Sequence, residues 1–124
     1  MKFLCLAYFG PDAFAGFTPE QSRAVNDATI EHDHKLRQSG HLLLASPLAD
    51  PAAGTTIDRR RLSVSLVDGP YAEAKEAIGG FAMYELETEA EAVDWVKQFL
   101  ELHRKHWPQW EGQVTLMQLI NYGR

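Results

Sequence analysis

The sequence predicts an α+β fold in a single domain spanning 1–124, an antiparallel sheet backed by two helices. Three observations carry that expectation. Two long stretches have helical apolar spacing and recognisable caps. Five short apolar runs have period-two alternation and end at Gly, Pro or charged turns. Hydrophobic residues make up 45% of the 124, enough for one core.

The elements follow in order. "KFLCLAYF", 2–9, reads as a strand with Phe3, Cys5, Ala7 and Phe9 on one face and Leu4, Leu6 and Tyr8 on the other. Gly10-Pro11-Asp12 ends it. The helix after it starts at Thr18, with Pro19 in the first turn and Gln21 completing a capping box, and stops at Gly40. Val25, Ala28, Thr29, His32 and Leu36 form its inward stripe. "HLLLASPL", 41–48, is a second strand, and "TTIDRRRLSVSLV" is a hairpin turning near Arg59. The segment 67–81 is expected to be a loop with one helical turn, followed by a strand over 80–87. Thr88-x-x-Glu91 boxes the second helix, whose apolar stripe is Ala92, Val93, Val96, Phe99, Leu100 and His103. On its wet face Glu101 and Lys105 stand in the favourable i,i+4 order. Trp107-Pro108 ends the helix, and "QVTLMQLI", 113–120, is the last strand.

This order is the split βαβ plan of a ferredoxin-like fold, βαββαβ, with an extra hairpin. Two helices cover one face of such a sheet. Several strands here are apolar on both faces, so the other face should be covered too. A homodimer through that open sheet face is the simplest cover.

Charge and composition narrow the partners. A net charge of −5 gives no general attraction to phosphate backbones, so nucleic acid is not expected. The first apolar run is too short for a membrane span, and no cleavage pattern follows it, so a cytoplasmic protein is expected. The single cysteine, Cys5, excludes an internal disulfide and alternates as a small buried residue.

The residues able to carry chemistry are few. Asp68-Gly69-Pro70 is turn chemistry, or a carboxylate at a strand end facing a pocket as base or as partner to a histidine. Glu73, Lys75 and Glu76 are a solvated cluster, or the polar rim of that pocket. Gly79-Gly80 is expected to permit positive φ and close backbone approach. No G-x-G-x-x-G or phosphate-loop pattern accompanies it, and no cofactor is expected. His32 lies on the apolar stripe of the first helix, as a core histidine or a proton carrier. His34 faces elsewhere; His103 and His106 stand three apart without a third ligand, so no metal is expected. Trp107 and Trp110 are a lid over the core edge, or the mouth of a ligand site. Tyr8, Phe81 and Tyr84 would suit an aromatic ligand in the pocket rimmed by Glu73, Lys75 and Glu76.

The run "DGPYAEAKEAIGGFAMYELET", with "KFLCLAYF" before it and "WVKQFLELHRKHWPQWEGQVTLMQL" after it, resembles the YCII-related family, and within it the DGPF subgroup. Tyr71 stands where the subgroup's name places Phe. The resemblance implies a dimeric α+β barrel of ferredoxin-like protomers. It implies a His–Asp pair in some members, the dechlorination of a hydroxylated aromatic in one branch, and a setting beside extracytoplasmic-function sigma factors. The family histidine's position, counted back from Gly40, falls here on Thr29; His32, one turn away, is the substitute partner for Asp68.

Three functions therefore stand side by side. One is a lyase- or hydrolase-type enzyme using Asp68 and His32 as acid–base groups, with Glu73, Lys75, Glu76, Gly79, Gly80, Tyr8 and Phe81 binding a small molecule. Another is a non-catalytic ligand-binding or regulatory module acting with a sigma factor. In the third, the loop serves only dimer assembly.

Overall fold

The computed structural model describes residues 1–10, 12–58, 65–69 and 77–120, with the backbone alone at Pro51, Asp58, Ser65, Val67 and Asp68. The elements are β1 (Lys2–Phe9), α1 (Pro19–Gln38), β2 (Leu42–Pro47), β3 (Thr55–Asp58), β4 (Ser65–Asp68), β5 (Ala77–Glu85), α2 (Glu89–His106) and β6 (Gln113–Gln118). The main sheet has the order β2-β5-β1-β6, every neighbouring pair antiparallel, which is the ferredoxin-like arrangement. The hairpin β3-β4 forms a second, two-stranded sheet of its own.

Local chemistry sets the helix ends. Thr18 Oγ1 accepts from Gln21 N at 3.1 Å, and Gln21 Oε1 accepts from Thr18 N at 3.1 Å, so the first capping box is complete. At the start of α2 Thr88 Oγ1 accepts from Glu91 N at 3.2 Å, but the Glu91 carboxylate does not reach back to Thr88 N, so the expected second box is half made. Gly40 takes φ +81° just beyond α1, a conformation that only glycine enters without strain. On the wet face of α2, Glu101 pairs with Arg104 at 2.9 Å rather than with Lys105, because the guanidinium one turn on reaches both carboxylate oxygens.

The core lies between the sheet and the helices. β1 sends Phe3, Cys5 and Ala7 into it, beside Tyr84 and Leu86 from and just after β5 and Leu42 from β2. α1 contributes Leu36 and α2 contributes Ala92 and Val96. Leu4, Leu6 and Tyr8 face the opposite side, in register with Met83, Phe81 and Ile78 of β5 and with Met117, Thr115 and Gln113 of β6. That face is apolar and open: Leu44 is 50% and Met117 55% exposed.

β5 begins three residues earlier than its sequence suggests, so Gly79 and Gly80 lie inside a strand rather than in a loop. Neither takes positive φ; among the described residues only Gly16, Gly40 and Gly69 do. β1 steps from pairing Gly80 at Ala7 to pairing Ile78 at Tyr8, leaving Gly79 as the extra residue of a bulge.

Leu36 is fully buried among these residues. Leu36→Ala is expected to lower unfolding stability by about 2–5 kcal/mol, read from urea midpoints at unchanged slope. A loss under about 1 kcal/mol would contradict this packing.

Candidate functional site

The chain after β2 returns twice to the ends of one segment. Leu48 N donates to Gly79 O at 2.8 Å, where β5 begins. Six residues on, Gly54 O accepts from Gly69 N at 2.6 Å, just past Asp68. Thr56 Oγ1 adds a bond to Gly69 O at 2.7 Å. Asp50 shapes the stretch between by accepting from Ala52 N at 2.9 Å and, through its backbone carbonyl, from Ala53 N at 2.8 Å. Both roots of the Asp68–Gly80 segment are thus pinned to the short piece Leu48–Gly54. Gly69 is buried at φ +86°, so its place in the turn requires glycine.

Asp68 ends β4 opposite Thr55, which fixes its backbone. Glu73, Lys75 and Glu76, the expected helical turn, Tyr71 and the Arg59-Arg60-Arg61 turn lie outside the described residues. Gly79 serves close approach as its sequence suggests, but in a strand. A Cβ there would collide with the Phe9 ring. Gly80 is less restricted, its nearest neighbour being Ser46 O at 3.4 Å. Tyr8 and Phe81 sit half-buried on the open sheet face, on the far side of the sheet from the helices.

His32 is buried between α1 and α2, its ring edge-on to Trp95 with centroids 5.7 Å apart. Its described contacts run to α2, and none joins it to the hairpin that carries Asp68. Burial holds its imidazole below the usual histidine range, and the positive charge of Lys35 adds to that. The His32 ring is therefore neutral at pH 7.

A cluster of aromatic rings builds the end of the sheet next to Gly79. Phe9, Phe14, Phe17, Trp107 and Trp110 pack with centroids 4.3–6.0 Å apart, all stacked except the tilted pair Phe14–Phe17. Trp107 is buried, whereas Phe14 is 59% exposed although it stacks on Phe9 and Trp107. Gly112 leaves room for the Trp110 ring as Gly79 does for Phe9. Gln109 clasps the two loops together, donating to Gly16 O at 3.0 Å and exchanging bonds with Gln21 at 2.7 and 2.9 Å. The tryptophans are thus core lid and cluster wall together. The three phenylalanines were missed as site residues. Their signal was the spacing of "FGPDAFAGF" just after an apolar strand.

Cys5 cannot serve as a nucleophile in this setting. Burial pushes its thiol up to about 11, against a hydrogen bond to Tyr84 that acts the other way. Among the described residues no three of His, Cys, Asp and Glu gather closely enough to hold a metal ion. No described helix is long and apolar enough to cross a membrane.

The class defined by this fold is a ferredoxin-like α+β domain with a hairpin insertion before its third sheet strand. The model of the YCII-related domain matches residues 1–99, and the chain belongs to that family. None of the curated proteins matches it significantly.

Two outcomes check this geometry. Gly79→Ala is expected to cost about 1–3 kcal/mol by overpacking, and most of that cost should vanish in a Phe9→Leu background. Equal costs in both backgrounds would mean that the ring is not the obstacle. With a thiol reagent at pH 8, Cys5 is expected to react roughly a hundredfold more slowly in the native protein than in urea.

Proposed function

We propose that the protein binds a small molecule at a site walled by the Asp68–Gly80 segment and performs acid–base chemistry there, of lyase or hydrolase type. The observation that supports this is the double pinning of that segment: Gly69 and Gly79, its two roots, are hydrogen-bonded to one short stretch, Leu48–Gly54. Fixed roots set where such a segment leaves and rejoins the sheet, and proton transfer requires groups at a set distance.

In this reading Asp68 takes or gives the proton. His32, neutral and with an unpartnered Nε2, is the second proton carrier. Lys75 holds an anionic group of the ligand, Glu73 and Glu76 orient Lys75, and Tyr8 and Phe81 supply apolar wall. The Asp68-Gly69-Pro70-Tyr71 run supports placing the chain in the DGPF subgroup. The apolar open face, with Leu4, Leu6, Phe81, Met83 and Met117, supports a homodimer through the sheet, which also brings Tyr8 and Phe81 into an interior.

A second reading is a non-catalytic regulatory module that works with an extracytoplasmic-function sigma factor. It draws on Ile57 and Leu66, which pair across the hairpin and are both well exposed. The absence of turnover with intact ligand binding would favour it.

Native mass spectrometry of freshly purified protein is expected to give twice the chain mass plus a retained small ligand. Asp68→Asn should keep that assembly and slow turnover of the same ligand class by about 10²–10⁴-fold. A bare monomer would refute the dimeric site, and unchanged turnover would refute the role of Asp68.

A further inference from the structure

The seam between α1 and α2 holds two histidines away from water. His32 is 7% and His103 6% exposed. The ring of Phe99 lies close to both, with centroids 6.5 Å from His32 and 4.2 Å from His103. Trp95 meets His32 edge to face, and Trp110 meets His103 the same way at 5.5 Å. His103 Nδ1 lies 2.8 Å from Phe99 O; a carbonyl only accepts, so Nδ1 carries the proton of the neutral ring. His32 Nε2 is buried with no partner, as is Thr29 Oγ1 one turn before it.

The charges that act most on these rings are positive. Lys35 on α1 and His103 on α2 act on His32, and His106 acts on His103. Of the two carboxylates that flank His32 in the chain, Glu31 pairs with Lys35 at 3.7 Å on the exposed side of α1, and Asp33 feels the charge of Arg37. His41 stands beyond Trp95, its ring 6.5 Å from the indole. A proton entering the seam would therefore meet aromatic rings and other cations, and an unpaired buried charge is strongly destabilising.

We propose that this seam is an acid-sensitive latch: α1 and α2 stay together while His32 and His103 are neutral, and proton entry at both rings parts the helices while β1 and β5 remain paired. The latch shares His32 with the acid–base reading but rests on the geometry of the seam alone.

The direction of the effect follows from proton binding. Burial lowers the affinity of both native rings for protons; at His103 it outweighs the bond to Phe99 O, which acts in the opposite sense. In the opened seam both return to the ordinary histidine value of about 6.5. The open form then binds more protons, so the latch is fully closed above about pH 6.5 and weakens as pH falls below it. With two rings, the logarithm of the opening constant should rise as pH falls below that value, with a slope of at most one per histidine.

The test is hydrogen exchange of the full chain between about pH 7 and 5, corrected for intrinsic exchange. Amides of α1 and α2 are expected to lose protection with a slope that exceeds one toward pH 5 while those of β1 and β5 keep theirs. His32→Phe and His103→Gln should each bring the slope to one or below, whereas His34→Gln, on the exposed face of α1, should leave it alone. Helices and sheet losing protection together, or a slope indifferent to both seam substitutions, would overturn the latch. If His103→Gln does not fold, the imidazole proton signals of the unaltered chain decide. Histidines that protonate near pH 6.5 with the helices still protected would overturn it; protonation coincident with helix opening would support it.

Discussion

β1 occupies the centre of the sheet and is paired on both edges, so it must satisfy two environments along every second residue. Phe3, Cys5 and Ala7 meet the helices; Leu4, Leu6 and Tyr8 meet the open side. A slip of one residue would exchange the two sets. The register holds over five consecutive pairs from Phe3 to Ala7 on both neighbours, and then breaks on one side only, at Gly79. That break lets Phe9 turn its ring onto the β5 backbone and join Phe14, Trp107 and Trp110. The aromatic end of the molecule therefore depends on the same strand that organises the core. The segment carrying Asp68 enters β5 beside it.

The buried chemistry of the helix layer has a different character. The core around Phe3, Leu36 and Ala92 is apolar, and its energetics are those of area removed from water. A few residues away the seam holds His32, Thr29 and His103, whose polar atoms have little to bond with. Such groups do not add stability; they make it conditional on solution conditions. One pair of helices thus combines an unconditional half, at Leu36 and Val96, with a conditional half one to two turns away.

Much of this was legible in the sequence. The caps at Thr18 and Thr88, the glycine stop at Gly40 and the alternation of 2–9 each fix an element by local chemistry, and the structure places all of them where those signals stand. The start of β5 was not legible. Two glycines read locally as a turn, whereas β1 and β2 on either side supply the hydrogen bonds that make them strand. The Glu101 partner was misjudged because spacing alone ignores the reach of Arg104. For the site, sequence identified Asp68, the glycines and His32 as residues of interest. It could not show that Leu48–Gly54 ties the segment's two roots together, since that tie is made of backbone groups which no side chain announces. Nor does sequence reveal that His32 and His103 share a seam, for they lie on different helices.

The clasp between Gln21, Gln109 and Gly16 is built wholly from amides, with no ionisable atom in it. It joins the first turn of α1 to the loop after α2, at the opposite end of α1 from Gly40. Ionic strength and acidity, which act on charges, have no purchase on such a joint. The two helices therefore share one tether that is indifferent to the medium. A change of acidity or salt alters the seam and leaves this joint as it is.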